Sequence, residues 1–190
     1  MRLNMKILAF IAAWTICVEG KKHPQNAIDK LLPLVETSAQ RLALAEQVAL
    51  AKWDTGTPVE DAPREAQVIA SAIEAGESRG LEQKAVSNFF RAQIEANKLV
   101  QYSLLAEWRR AGKAPGHAPV NLAGTIRPEL DRVQTALIAE LAETSGIRAS
   151  ASGRTDIAKA VGEFVSAHKN SFSSLRLIAL DRAMAAACPP

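Results

Sequence analysis

The chain has 190 residues, with 23 Lys and Arg against 20 Asp and Glu, a formal net charge of +3 and a pI near 9.0. That mild excess is scattered, with no basic stripe interleaved with aromatics for nucleic acid and no basic run for a membrane surface. Three His and two Cys leave little material for a metal site, and none of the His is spaced with a carboxylate in a Glu-x-x-His pattern.

Residues 1–20 carry Arg2 and Lys6 ahead of an apolar stretch from Ile7 to Val18, followed by Glu19 and Gly20. This reads as a signal peptide, so a periplasmic or secreted product is expected. The apolar run is too short for a permanent anchor, and no later stretch approaches roughly 20 apolar residues. A lipid anchor on Cys17 is disfavoured because the bulky Ile16 stands where a lipoprotein signal wants a small residue. After cleavage only Cys188 remains, so no internal disulfide is available and residues 21–190 must rely on a core as one domain.

Apolar residues recur at helical spacing from Ala27 to Trp53, among them Ile28, Leu31, Val35, Leu42 and Val48, and this predicts one long helix. Thr55-Gly56-Thr57-Pro58 breaks it. A second helix is expected from about Asp61 to Ala75 and a third from about Glu82 to Arg110. Residues 112–119, rich in Pro and Gly, form a linker between two helical halves. Beyond it, helices are expected over about Thr125–Thr144, Thr155–His168 and Ser171–Ala187, with Thr125, Thr155 and Ser171 as candidate caps or first-turn residues and Pro128 in a first turn. No segment alternates with period two. The fold class is all-α, one domain of about six helices with a C-terminal helical half at 125–187.

Arg41 and Lys52 are eleven residues apart, about 20° apart on one helix face and three turns along it. Apolar Leu34, Ala45 and Val48 flank that face, which places both cations on a partly buried side. Either cation alone is more usually a surface residue with its stem along apolar neighbours, and it is the pair that weakens that reading. Asp61 and Arg64 are spaced to pair across one turn, although an acidic helix start explains them as well. Asn97 and Gln101, four apart near Phe90, Leu104 and Trp108, need partners and could simply close a helix contact. No local signature offers a Ser or Cys nucleophile with a His base, nor a phosphate-binding glycine loop.

Taken together, "SAQRLALAEQVALAKW" at 38–53, "TPVEDAPRE" at 57–65 and "QIEANKLVQYSLLAEW" at 93–108 resemble the all-helical, type II chorismate mutases. The signal peptide and the added C-terminal helices resemble their secreted, gamma-type branch. The specific motifs lie between 34 and 108. The resemblance implies a Claisen rearrangement of chorismate to prephenate, with no cofactor, no metal and no covalent intermediate. It implies that Arg41 binds a substrate carboxylate, that Lys52 reaches a carboxylate and the ether oxygen, and that Gln101 makes the second contact to that oxygen. Arg64 corresponds to a further arginine at the carboxylate end. Glu65 and the backbone at Asp61 correspond to groups that meet the ring hydroxyl, and Asn97 stands where the family often has Ser or Thr near a carboxylate.

Small dimeric relatives bring a first-helix arginine from the partner subunit, whereas the gamma branch supplies its counterpart from the same chain after the linker. Arg127, in "TIRPELD", is the candidate. Gamma-type relatives can also brace the C-terminal half with a disulfide. Cys188 has no mature partner here, so looser C-terminal helices are expected, and pairing between chains in a homodimer stays open. Two other readings share these residues: an exported helical binding module with solvated cations, and a family fold whose pocket is inactive.

Overall fold

The computed structural model describes residues 24–169 and 172–189; the signal segment and Ser171 lie outside them. Seven α-helices follow in order: α1 (Pro24–Thr55), α2 (Ala62–Glu77), α3 (Gln83–Ala111), α4 (Arg127–Glu143), α5 (Ser145–Arg148), α6 (Gly153–Ala167) and α7 (Ser174–Met184). The described residues contain no strand. None of these helices is long and apolar enough to cross a membrane.

The first helix is the axis of the assembly. Leu31, Leu34, Val35, Leu42, Ala45 and Ala49 are buried around its circumference, as expected of a helix enclosed on several sides. Helices α3, α4, α6 and α7 all pack on it, so segments from both sides of the linker share one core. Phe89 and Phe90 on α3 meet edge to face, with centroids 5.5 Å apart. Pro33 lies inside α1 on an exposed position, where the lost backbone donor faces water.

The ends of α2 and α3 follow from local chemistry. The Asp61 carboxylate accepts from the Arg64 N–H at 3.2 Å and caps α2. Gly76 permits α2 to close on α3, since a β-carbon there would lie 2.8 Å from Val86. Gly112 ends α3 in the left-handed region at φ 71°, a conformation that favours glycine. The linker then returns to the end of α1, where His117 Nε2 meets Asp54 at 3.0 Å and Ala114 and Val120 pack on Leu50, Leu105 and Trp108.

The expected helices appear with shifted starts. Thr125 does not cap α4: it falls inside a π-helical turn over Leu122–Ile126, whose cap is Asn121, accepting from the Gly124 N–H at 2.7 Å. Thr155 sits in the first turn of α6, which begins after Ser152, and α7 is capped by Ser173, accepting from Arg176 N–H at 3.3 Å. Pro128 occupies the first turn of α4, as anticipated. The short α5 is additional, because four residues carry too little periodicity to register in sequence.

The C-terminal half has a brace of its own. Arg148, buried on α5, donates from Nη2 to Leu141 O at 2.6 Å, from Nε to Thr144 Oγ1 at 3.1 Å and from Nη1 to Ala187 O. It thus ties the end of α4 to the segment after α7. Helix α7 itself buries Ala179, Leu180, Ala183 and Met184, which secures the C-terminal helices without a disulfide. Arg148→Met is expected to lower stability by about 2 kcal/mol, because two buried carbonyls lose their donors. Denaturant unfolding measures it.

Candidate active site

One cavity of about 810 Å³, including its mouth, opens between α1, α2, α3 and the start of α4. It is lined by all eight residues singled out in the sequence: Arg41, Lys52, Asp61, Arg64, Glu65, Asn97, Gln101 and Arg127. Lys98, Asp131 and Gln134 join them, with Val48, Val59, Val68, Ile94, Leu122 and Leu130 as apolar wall. Five cations face three carboxylates there. The formal balance of +2 matches a doubly negative ligand.

Arg41 is 5 % exposed, and its Nε and Nη1 are buried without a hydrogen-bond partner. Burial lowers its pKa to about 10; Asp131 opposes that shift and Arg64 adds to it. It stays protonated at neutral pH, so the cavity wall holds a buried cation with three N–H groups, on Nε and Nη1, that have no partner among the described residues. Such a group is costly unless an anion arrives.

Lys52, one helix face along, is 8 % exposed and donates to Val59 O at 2.6 Å. Burial lowers its pKa, Asp61, Glu65 and Glu60 counteract this, and Arg127 reinforces it. An ammonium has three donors, and a single protein acceptor leaves the others for a ligand.

Asn97 Nδ2 donates to Arg41 O at 3.1 Å, and Gln101 Nε2 donates to Asn97 Oδ1 at 2.6 Å. The backbone carbonyl of Arg41 fixes which way Asn97 turns, and Asn97 in turn fixes Gln101. One N–H of Gln101 remains free, beside a buried Oε1 with no partner. The reading of Asn97 and Gln101 as a pair closing a helix contact therefore holds together with their place in the cavity.

The start of α2 departs from expectation. Asp61 and Arg64 do not pair through their side chains: the Asp61 carboxylate accepts the backbone N–H of Arg64 and stands 3.7 Å from the Arg127 guanidinium. The Arg64 guanidinium instead reaches Asp131 at 2.9 Å and Gln67 at 2.9 Å. An N-cap carboxylate is turned back onto its own helix, which takes it away from the side chain three residues on. Glu65 Oε1 accepts from the Asp61 N–H at 3.4 Å, so these two groups do meet.

Lys98, Asp131 and Gln134 were not read from the sequence. A signal was present for two of them, because Arg127, Leu130, Asp131 and Gln134 stand at positions 0, 3, 4 and 7 of α4 and share one face. No group of three or more His, Cys, Asp or Glu among the described residues is gathered to hold a metal ion.

Comparison with known proteins agrees with this geometry. Residues 26–102 match the family model for chorismate mutase type II. A curated relative, the secreted chorismate mutase of Mycolicibacterium smegmatis, is 30 % identical over 157 residues, covering 82 % of this chain and 86 % of its own. The crystal structure of a chorismate mutase from Burkholderia phymatum superposes with a TM-score of 0.81 at 44 % identity, over 86 % of this chain and 99 % of that one. A second, from Burkholderia thailandensis, gives 0.78 at 33 % identity, over 84 % and 99 %. With a relative at that identity spanning most of both chains, and an all-helical fold shared with solved members, this chain belongs to the type II chorismate mutases.

Proposed function

We propose that the chain converts chorismate to prephenate in this cavity by holding the substrate's two carboxylates and stabilising the charge that develops on its ether oxygen. The observation that carries the reading is the buried, half-unpartnered guanidinium of Arg41 in a cavity of net positive charge. Arg41, Arg64 and Arg127 clamp the carboxylates, and the bidentate geometry of guanidinium suits that task. The clamp folds a flexible substrate into the compact shape from which the new carbon–carbon bond forms as the carbon–oxygen bond breaks.

Lys52 and the free N–H of Gln101 supply donors to the ether oxygen. Charge grows there only as the bond breaks, so these contacts strengthen in the transition state. Glu65 and the Asp61 backbone take the ring hydroxyl, and Asn97 sets the direction of Gln101. All these side chains come from one chain, so the reading needs no second copy. The curated relative is named a secreted enzyme; with residues 1–20 read as an export signal, the mature enzyme is residues 21–190 and works outside the cytoplasm.

Gln101 gives a test with a definite sign. A neutral amide donates equally at mildly acidic and neutral pH, so the wild-type profile is flat there. In Gln101→Glu the group donates only when protonated, and its carboxylate repels the negative ether oxygen. Turnover should fall as pH rises, by about tenfold or more at neutral pH. Steady-state rates with chorismate across that range check it, and an unchanged profile removes Gln101 from the reacting oxygen.

A further inference from the structure

Lys98 lines the same cavity as Arg41 and Lys52, yet its charge is used differently. Its ammonium lies 2.7 Å from Glu95 Oε1, 2.9 Å from Glu60 Oε2 and 3.3 Å from Glu65 Oε2. Three carboxylates occupy its three donors, so none is left for a substrate anion. Burial works against its charge, but the bonds to Glu95, Glu60 and Glu65 outweigh that and hold its pKa above the usual lysine value.

We propose that Lys98 is a positioning residue: by binding one oxygen of Glu65 it turns the other oxygen toward the Asp61 amide and the ring hydroxyl of the substrate. The inference rests on reading the cavity as a chorismate site. Glu65 Oε2 is on Lys98 while Oε1 faces the Asp61 N–H at 3.4 Å, so both oxygens of the carboxylate are oriented, with a lone pair of Oε1 left for the hydroxyl.

Among the described residues, no neighbouring cation contacts Glu65 Oε2 besides Lys98. Lys52 on α1 is held by Val59 O, Arg64 on α2 by Asp131, and Arg127 on α4 stands against Asp61. Arg182 on α7 approaches Glu95 alone, at 3.8 Å. Tyr102 on α3 donates to Glu60 Oε1 at 2.9 Å but brings no charge. Without Lys98, Glu65 Oε2 loses its partner and the carboxylate is free to turn away from the Asp61 amide.

The test compares chorismate kinetics of the wild type with Lys98→Met, Lys98→Arg, Glu65→Gln and the double variant Lys98→Met/Glu65→Gln. A hydroxyl contact made in ground and transition states alike acts mainly on KM. Lys98→Met should raise KM about tenfold at neutral pH with kcat little changed. Lys98→Arg should restore KM. Added to Glu65→Gln, Lys98→Met should cost almost nothing more, as expected of residues acting as one unit. A merely structural lysine would lower the melting temperature and leave KM where it was. An unmoved KM, with or without a loss of kcat, or additive losses in the double variant would each overturn the inference while an active wild type upholds the function. A wild type inert toward chorismate would overturn both.

Discussion

Lys52→Ala is expected to lower kcat with chorismate by at least about a hundredfold, with the protein still folded. The ammonium has one protein partner, Val59 O at 2.6 Å, and lies at the wall of an open cavity, where water replaces what the side chain leaves. The structural loss is therefore small, on the order of one hydrogen bond. The catalytic loss is large because the ether oxygen bears its negative charge only near the transition state, so the donor acts on kcat more than on KM. Steady-state kinetics alongside a circular-dichroism melt separate the two effects. A kcat near that of the wild type would remove Lys52 from the reacting oxygen.

Arg41→Met should move stability and activity in opposite directions. The guanidinium is buried with Nε and Nη1 unpartnered, and burial holds its pKa down at about 10. A base disfavoured in its charged form penalises the folded state at every pH below that value, the whole physiological range included. Replacing it by an apolar side chain of similar length removes the penalty, so the variant should melt above the wild type, with a gain of about 1 kcal/mol or more. The same change deletes a carboxylate clamp, and kcat/KM should fall by at least about a thousandfold. Arg148→Met carries the opposite stability sign, because that guanidinium is spent on three internal acceptors. The contrast tests one principle: a buried cation with its partners inside the chain holds the fold, and one without them awaits a ligand. A destabilised Arg41→Met that keeps its turnover would contradict it.

What the sequence made legible lies mostly within single helices. Arg41 and Lys52, or Asn97 and Gln101, are related by the 3.6-residue period, so a shared face follows from number alone. Long apolar periodicity likewise announced the helices, and their errors fall at the ends, where a cap at Ser173 in place of Ser171 or a π-helical turn ahead of Arg127 shifts the start. Which helices meet is a different matter. The ion pairs Arg64–Asp131 and Lys98–Glu60 join elements whose contact depends on packing around α1, and no spacing rule reaches across those distances. Arg127 became a candidate through resemblance, and the cavity now contains it; its partners on α4 needed the structure.

The same division explains the C-terminal half. A missing disulfide is visible by counting cysteines, whereas Arg148 reads as an ordinary helix-end cation until Leu141 O and Ala187 O are seen around it. Buried polar groups are legible in sequence as unusual composition, and their partners only in three dimensions.

The central claim is tested most directly by incubating the purified mature protein with chorismate alone and following both compounds by proton NMR. The account predicts loss of chorismate matched one for one by prephenate, far above the uncatalysed rate, with no metal or cofactor added, and abolished in Arg41→Met. Folded wild-type protein that leaves chorismate at its uncatalysed rate from mildly acidic to neutral pH would contradict it.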